Sequence, residues 1–483
     1  MCDRERGWSE VPLAKTWQLI AGSAVAGLAL SAAAVAAAGP WDSGQRKAER
    51  DRAASWSRTG GADHAAGGLP QAAPSAPGVL AGIGPRPANA AVAAPDALAG
   101  ALKPLLADPA LGTVRGASVV DTATGRVLFE SGSSEAMTPA STVKIATASA
   151  ALAALGPEHR IRTTVTPGAG PGDVVLVGGG DPSLTAKKKS PAGSGGSLVA
   201  LAADTAQALK AAGTDTVTLG YDDSLYTGAV RHPIGRNDNI APVTALTADE
   251  GRPDDSTSGP VERSEDPSKD TARAFAGLLR DRGIKVNGEP ARTKAPAGAQ
   301  PLATTLSTPL AGLVERMLTN SDNDIAEALA RQTALAAGQP AGFEGAEKAV
   351  ADKLASLGVD VTGTRFADGS GLNRADKVTT RLLTGLLAAA ADPRHPELRP
   401  VLTGLPVAGF TGTLRARNAG TSPAAGLLRA KTGTLTGVNS LAGTVVDPSG
   451  RLLAFAFLTA GAADGPAAEK GLDKLAAAVA TTS

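Results

Sequence analysis

Residues 16–39 (TWQLIAGSAVAGLALSAAAVAAAG) carry no charge. The run exceeds the roughly 20 apolar residues that cross a bilayer as a helix. It contains Ala36-Ala37-Ala38, a small-residue site of the kind at which a signal segment is cleaved. Residues 16–39 are therefore expected to be a membrane anchor, or a signal removed near Ala38, behind a short cytoplasmic segment at 1–15. Arg4, Arg6 and Lys15 precede the run and Arg46, Lys47, Arg50 and Arg52 follow it, so flanking charge does not set its orientation. Residues 40–94 are rich in Ala, Pro, Gly and Ser, and read as a flexible linker with a reach of about 40 Å.

Folded periodicity begins near residue 95. An Ala/Leu segment at 97–107 predicts a helix, and alternating runs at 117–121 and 126–130 around Thr122-Ala123-Thr124-Gly125 predict a hairpin. Thr138 as N-cap and Pro139 at the first helical position open a helix to about residue 155. Near the C-terminus, 439–446 and 452–458 flank a turn at 447–450 and form a second hairpin, before a last helix at 467–480. Hairpins at both ends, with helices outside and between them, predict an α+β sandwich built from distant segments, 95–162 plus 300–483. The intervening 163–299 differs in character. It mixes short β-like stretches (173–177, 216–219) with a Lys187-Lys188-Lys189 run and a polar stretch at 249–270, and reads as a β-rich inserted domain. The lysine run is expected to be a solvated loop.

Composition narrows the chemistry. The 483 residues have a formal net charge of +1 and 43% hydrophobic content, which suits two or three folded units and gives no electrostatic reason to invoke nucleic acid. The single cysteine, Cys2, precedes the apolar run, so no disulfide, zinc site or thiol nucleophile is expected beyond it. Four scattered histidines (His64, His159, His232, His395) without an HExxH spacing predict neither a metal site nor a cofactor.

Three motifs, each occurring once, carry the chemistry. In Ser141-Thr142-Val143-Lys144 the i,i+3 spacing puts amine and hydroxyl on one helix face. A desolvated lysine of lowered pKa can then serve as base to the serine. In Ser321-Asp322-Asn323, Ser321 reads either as a proton relay or as the N-cap of a helix at 325–337 with Asp324 as capping-box partner. Asn323 is suited to hold a substrate amide. In Lys431-Thr432-Gly433-Thr434, a strand is expected whose glycine admits a substrate backbone, with Lys431 and the threonine hydroxyls facing a carboxylate. The order S-x-x-K, S-x-N, K-T-G is that of penicillin-binding proteins and class A β-lactamases.

With these motifs the sequence resembles the low-molecular-mass class C penicillin-binding proteins, the D-alanyl-D-alanine carboxypeptidase/endopeptidases. The resemblance extends to Gly178-Gly179-Gly180-Asp181-Pro182, Asp368-Gly369-Ser370-Gly371-Leu372, and Leu405-Pro406-Val407-Ala408-Gly409 with Gly412-Thr413-Leu414. It implies a penicillin-binding transpeptidase/β-lactamase-like fold, a five-stranded antiparallel sheet flanked by helices. By the same resemblance Ser141 would be the nucleophile, Lys144 the base, and Ser321 and Lys431 the rest of the proton network. Asn323, Thr432, Gly433 and Thr434 would bind substrate. The backbone N–H groups of Ser141 and Thr434 would form the oxyanion hole, and Leu372 and Arg374 would line a side-chain pocket. Peptidoglycan stem peptides ending in D-Ala-D-Ala and β-lactams are the implied partners, and the cell envelope, outside the cytoplasm, is the implied location.

Rival readings are a β-lactamase and a non-catalytic peptidoglycan-binding protein on the same fold. The long interval between Ser141 and Ser321 sets the chain apart from compact β-lactamases. A binding module has no need of a nucleophile–base pair. The absence of G-x-S-x-G disfavours a Ser-His-Asp hydrolase.

Overall fold

The computed structural model describes residues 95–189 and 195–482. The segments expected at 1–15, 16–39 and 40–94 lie outside the described residues. Among the described residues, no helix is long and apolar enough to cross a membrane.

Helix α1 (Pro95–Leu106) leads into β1 (Val114–Asp121), β2 (Val127–Ser131) and α2 (Lys144–Leu155). The first hairpin turns on Asp121, whose carboxylate accepts the N–H groups of Ala123 (2.9 Å) and Thr124 (3.2 Å), and on Gly125 at φ 70°. A side chain that caps its own turn is why Asp recurs at such positions.

The inserted region holds β3 (Arg162–Pro167), β4 (Asp173–Val177), α3 (Leu198–Ala211), β5 (Thr216–Asp222), α4 (Pro267–Arg280), β6 (Lys285–Arg292) and β7 (Ala303–Leu306). These strands form one sheet in the order β6-β5-β4-β3-β7. β4, β5 and β6 are parallel, and parallel neighbours need crossovers, which α3 and α4 supply. The two helices, which the β-like stretches do not announce, bury Leu198, Leu201, Phe275 and Leu279 against Val174, Leu176, Val217 and Leu219. Because β7 pairs with β3, this sheet runs from Arg162 to Leu306, past 163–299 at both ends. Lys188 and Lys189 are exposed, whereas Lys187 pairs with Asp255 at 3.4 Å.

Helices α5 (Leu310–Asn320), α6 (Asn323–Ala336), α7 (Phe343–Ser356), α8 (Thr380–Ala391) and α9 (Arg399–Thr403) follow. The chain closes with β8 (Leu428–Leu435), β9 (Val438–Val446), β10 (Leu452–Ala460) and α10 (Gly465–Thr481). The hairpins from the two ends meet: β1 pairs antiparallel with β10, from Val114↔Ala460 to Asp121↔Leu453, giving a fully antiparallel sheet β2-β1-β10-β9-β8. Period-two alternation sorts β10 between two layers. Leu453, Phe455 and Phe457 pack with Leu98, Leu102, Leu472 and Leu475 of α1 and α10. Ala454, Ala456 and Leu458 face the layer of α2, α5, α6 and α8, where small side chains let helices lie close.

β8 is an edge strand, and half of its edge is covered. Ala408 N–H donates to Leu428 O (2.9 Å) and Ala430 N–H donates to Pro406 O (3.0 Å). Backbone groups alternate sides along a strand, so the N–H and C=O of Thr432 and Thr434 face that same edge beyond the cover.

Close β8–β9 contact depends on Gly443, where an added Cβ would lie 2.0 Å from Arg429 O and 2.5 Å from Ala430 Cα. Gly443→Ala is expected to lower unfolding stability by about 1–3 kcal/mol. Gly277→Ala, on α4 with nothing within 4 Å, is expected to be neutral or to gain roughly 0.5–1 kcal/mol. Denaturant melts of both variants check the contrast.

Candidate active site

Ser141 lies in a single 3-10 turn, Ala140–Val143, that runs into α2. Residues i and i+3 eclipse in a 3-10 turn, so Lys144 stands directly over Ser141. Thr138 is not the N-cap. Pro139 occupies that position with no side-chain bond, and Thr138 Oγ1 instead donates to Arg374 O (3.2 Å) and accepts from Lys377 Nζ (2.9 Å). Ala140, buried, takes the left-handed region at φ 49°, a conformation that a non-glycine residue holds only when its surroundings enforce it.

Two glycines enforce it. A Cβ on Gly433 would lie 2.2 Å from Ser440 Oγ, 2.7 Å from Pro139 O and 3.0 Å from Ser141 N, and one on Gly371 would lie 2.0 Å from Ala140 O. The absence of a side chain at Gly433 thus makes room for the turn carrying Ser141, a role the sequence does not announce. Ser440 Oγ on β9 donates to Pro139 O at 2.7 Å and fastens the turn to the sheet.

Lys144 is wholly buried, and its Nζ meets Ser141 Oγ at 3.0 Å, Asn323 Oδ1 at 2.7 Å and Ser370 O at 2.5 Å. A neutral amine has two N–H donors and one lone pair. As an ammonium Lys144 donates to all three oxygens; once it is neutral, the amide oxygen and the carbonyl, which only accept, take the two N–H donors and leave the lone pair facing the Ser141 hydroxyl. Burial lowers the Lys144 pKa to about 8, against the opposing charges of Asp368, Asp322 and Glu327.

Ser321 follows α5 in a left-handed conformation, φ 59°, as its C-cap. It is not the N-cap of α6: Asp322 is, accepting from Ile325 N–H at 3.0 Å. Asp324 instead accepts from Arg263 Nη1 (2.7 Å) and Ala241 N–H (2.9 Å). Lys431 Nζ donates to Ser321 Oγ (2.9 Å) and Thr432 O (2.8 Å). Lys431 is fully buried, with a pKa driven well below the ordinary value by burial and then by Lys144, so it serves the serine and not a solvent-facing carboxylate.

A cleft of about 240 Å³ is lined by Ser141, Ser321, Asn323, Leu372 and Thr434, with Asn239, Arg252 and Arg263 from the inserted region. Asn323 Nδ2 donates to Asn239 O at 3.0 Å, leaving its second N–H for a ligand. Thr434 Oγ1 donates to Glu469 Oε1 and Thr432 Oγ1 to Thr413 Oγ1, both at 2.9 Å. Arg374 lies exposed, its Nη2 on Thr436 O at 2.8 Å.

Beneath Lys144 is a buried acidic cluster that the motifs do not reveal. Asp368 accepts the N–H groups of Ser370 (3.0 Å), Gly371 (2.6 Å) and Asn373 (2.7 Å), and the His232 ring at 2.9 Å. Burial pushes this carboxyl up, but His232, Asp376 and Gly371 N–H outweigh it and hold it at about 2. Burial and the charge of Asp368 push Asp376 the other way, up to about 10. Glu327 accepts from Gly369 and Ser370 N–H (both 3.0 Å) and from Arg331 (2.9 Å). His232, Glu327 and Asp368 converge closely enough to hold a metal, as do Glu250, Asp322 and Asp324. Protein donors already engage both sets, the second through Arg252, Arg316 and Arg263.

A serine paired with a buried lysine, beside a second serine–lysine pair and an antiparallel sheet edge, is the arrangement that the three motifs foretell. Against known proteins, the sequence profile described as the D-Ala-D-Ala carboxypeptidase 3 (S13) family matches residues 98–258 and 252–479. The chain belongs to this family. It is a serine-type D-Ala-D-Ala carboxypeptidase of the penicillin-binding protein type. It is 38% identical over 434 residues to carboxypeptidase DacB of Mycolicibacterium smegmatis, covering 87% of this chain and 91% of that one. It is 31% identical to a D-alanyl-D-alanine carboxypeptidase of an Actinomadura species, over 82% of this chain and 87% of that one. Penicillin binding protein 4 of Haemophilus influenzae shares the fold, with a TM-score of 0.63, 24% identity, and coverage of 79% of this chain and 97% of that one.

The carboxypeptidase's Asp376 gives a stability test. Its raised pKa means that the folded state keeps a proton the unfolded chain releases above about 4, so stability falls as pH rises from there toward 10. Asp376→Asn removes this dependence. The variant is expected to be more stable than the native enzyme between pH 5 and 8, by a margin that widens as pH rises, as read by melts across that range.

Proposed function

We propose that this carboxypeptidase cleaves peptidoglycan stem peptides ending in D-Ala-D-Ala through a Ser141 acyl-enzyme, and that β-lactams trap the same intermediate. The observation that carries the proposal is the 3.0 Å contact between Ser141 Oγ and a buried Lys144 amine of lowered pKa. Lys144 takes the hydroxyl proton as Oγ bonds to the carbonyl carbon of the penultimate D-Ala. The carbonyl oxygen becomes an oxyanion facing the N–H groups of Ser141 and Thr434. As the C–N bond breaks, the proton held by Lys144 passes by way of the Ser321 hydroxyl, which Lys431 meets at 2.9 Å, to the leaving amine, and Lys144 returns to its neutral form. Water then hydrolyses the ester. The stem peptide adds as a strand to the open edge of β8, with its amide on Asn323. Its terminal carboxylate turns to the hydroxyls of Thr432 and Thr434, and its side chain to Leu372 and Arg374. A relative from Haemophilus influenzae has been solved with a β-lactam, which supports the inhibitor reading.

We also propose an envelope location outside the cytoplasm, with residues 16–39 as anchor or cleaved signal and 40–94 as tether. The uncharged run and the linker composition support it. Fractionation of cells expressing the full chain tests it, and recovery in the cytosol alone would reject it.

Purified full-length enzyme is expected to take a covalent fluorescent-penicillin label and to release D-alanine from a D-Ala-D-Ala peptide, and Ser141→Ala to do neither. Label without D-alanine release, with rapid penicillin turnover, would identify a β-lactamase. No label on folded protein would identify a binding scaffold. Because the base must be unprotonated, the acylation rate is expected to rise about tenfold per pH unit below the Lys144 pKa and to level above about 8. Lys144→Met is expected to lower the rate about 10²–10⁴-fold.

A further inference from the structure

Once Lys144 is deprotonated, its lone pair points at Ser141 only while the Ser370 carbonyl stays in place, since that carbonyl takes one of the two amine hydrogens at 2.5 Å. Ser370 belongs to an irregular loop, 368–373. Its backbone is organised by two carboxylates, Asp368 from within and Glu327 from α6. Asp368 is in turn met by a residue from the inserted region. His232 Nε2 lies 2.9 Å from Asp368 Oδ2, while its Nδ1 accepts the Ile234 N–H at 3.2 Å. An accepting Nδ1 carries no proton, so the ring is the neutral tautomer that donates from Nε2. The Phe343 ring of α7 meets the imidazole edge-on, with centroids 5.5 Å apart. The site is sealed: the side chains of His232 and Asp368 are 1% and 0% exposed.

We propose that His232 is a positioning residue for the catalytic lysine, through which the inserted region holds the Asp368–Ser370 loop and hence the Lys144 amine in register with Ser141. This rests on the reading of Lys144 as base. The charged and titratable groups around the His232–Asp368 contact are Asp376 just beyond the loop, Glu327 and Arg331 from α6, and Lys144 from α2. Glu327 Oε1 is 3.9 Å from His232 Nε2, too far for a second bond, and Arg331 occupies the other Glu327 oxygen at 2.9 Å. Asp368 is therefore the acceptor for the His232 proton. Two further contacts dock the inserted region on α6 near this point: Gln332 Nε2 donates to Gly179 O (2.8 Å) and to the hydroxyl of Tyr226 (3.1 Å). The glycine block singled out in the sequence thus forms part of the same junction.

The test uses full-length enzyme and the acylation rate with fluorescent penicillin, corrected for folded sites by burst titration. His232→Ala is expected to acylate about ten- to a hundredfold more slowly per folded site, as small displacements at a reacting pair do. The midpoint of its pH profile is expected to stay near that of the native enzyme, because Asp368 keeps its backbone N–H donors and remains ionised far above its pKa of about 2. His232→Gln, whose amide can still donate to Asp368, is expected to recover most of the rate. An Ala variant with the native rate, or a Gln variant as slow as Ala, would overturn the proposal. Should the Ala variant not fold, ¹⁵N imidazole spectra of the native enzyme decide. An exchange-protected Nε2–H that shifts on acylation of Ser141 supports the proposal, and one indifferent to acylation rejects it. If penicillin fails to label the native enzyme at all, it is the lysine-base reading that falls.

Discussion

Two lysines with no exposed surface meet where the antiparallel sheet joins the helical layer, and the rest of the molecule is arranged around what that burial costs. A buried ammonium loses its hydration, so the amine becomes easier to deprotonate, and the charge of Lys144 lowers Lys431 further. The depression of Lys144 is limited by carboxylates grouped below it, of which Asp368 acts most strongly. The fold therefore tunes the base between two opposed terms: desolvation by packed alanines and leucines, and the field of an acid held ionised by His232 and backbone N–H groups.

Orientation is set by the same packing. The turn bearing Ser141 is held between β8 and the loop at 369–371, at contacts where Gly433 and Gly371 cannot be replaced without moving backbone. Strain at Ala140 persists because both sides are occupied. The segment at 406–408 covers one half of the β8 edge and leaves the other half facing the cleft. An edge that would otherwise invite uncontrolled pairing is reduced to the length of a short peptide.

The inserted region contributes more than bulk. It places Asn239, Arg252 and Arg263 on the cleft, holds one N–H of Asn323, and reaches the acidic cluster through His232. Arg316 meets Glu250 and Arg263 meets Asp324 at the junction, so acids beside the S-x-N motif are held by partners more than sixty residues away in sequence.

The sequence alone determined whatever rests on local spacing and alternation. It was enough to name Ser141 with Lys144, the hairpins that meet as β1–β10, the strand bearing Lys431, and the family whose motif order they follow. It could not show that Ser321 caps the end of α5, that Gly433 makes room for the nucleophile's own turn, or that Lys431 turns inward. Nor could it single out His232, which meets Asp368 across 136 residues of chain. Those facts depend on which distant segments share a buried volume. Periodicity records which face of an element is apolar, whereas hydrogen-bond partners and desolvation inside the core are decided only when the segments close on one another.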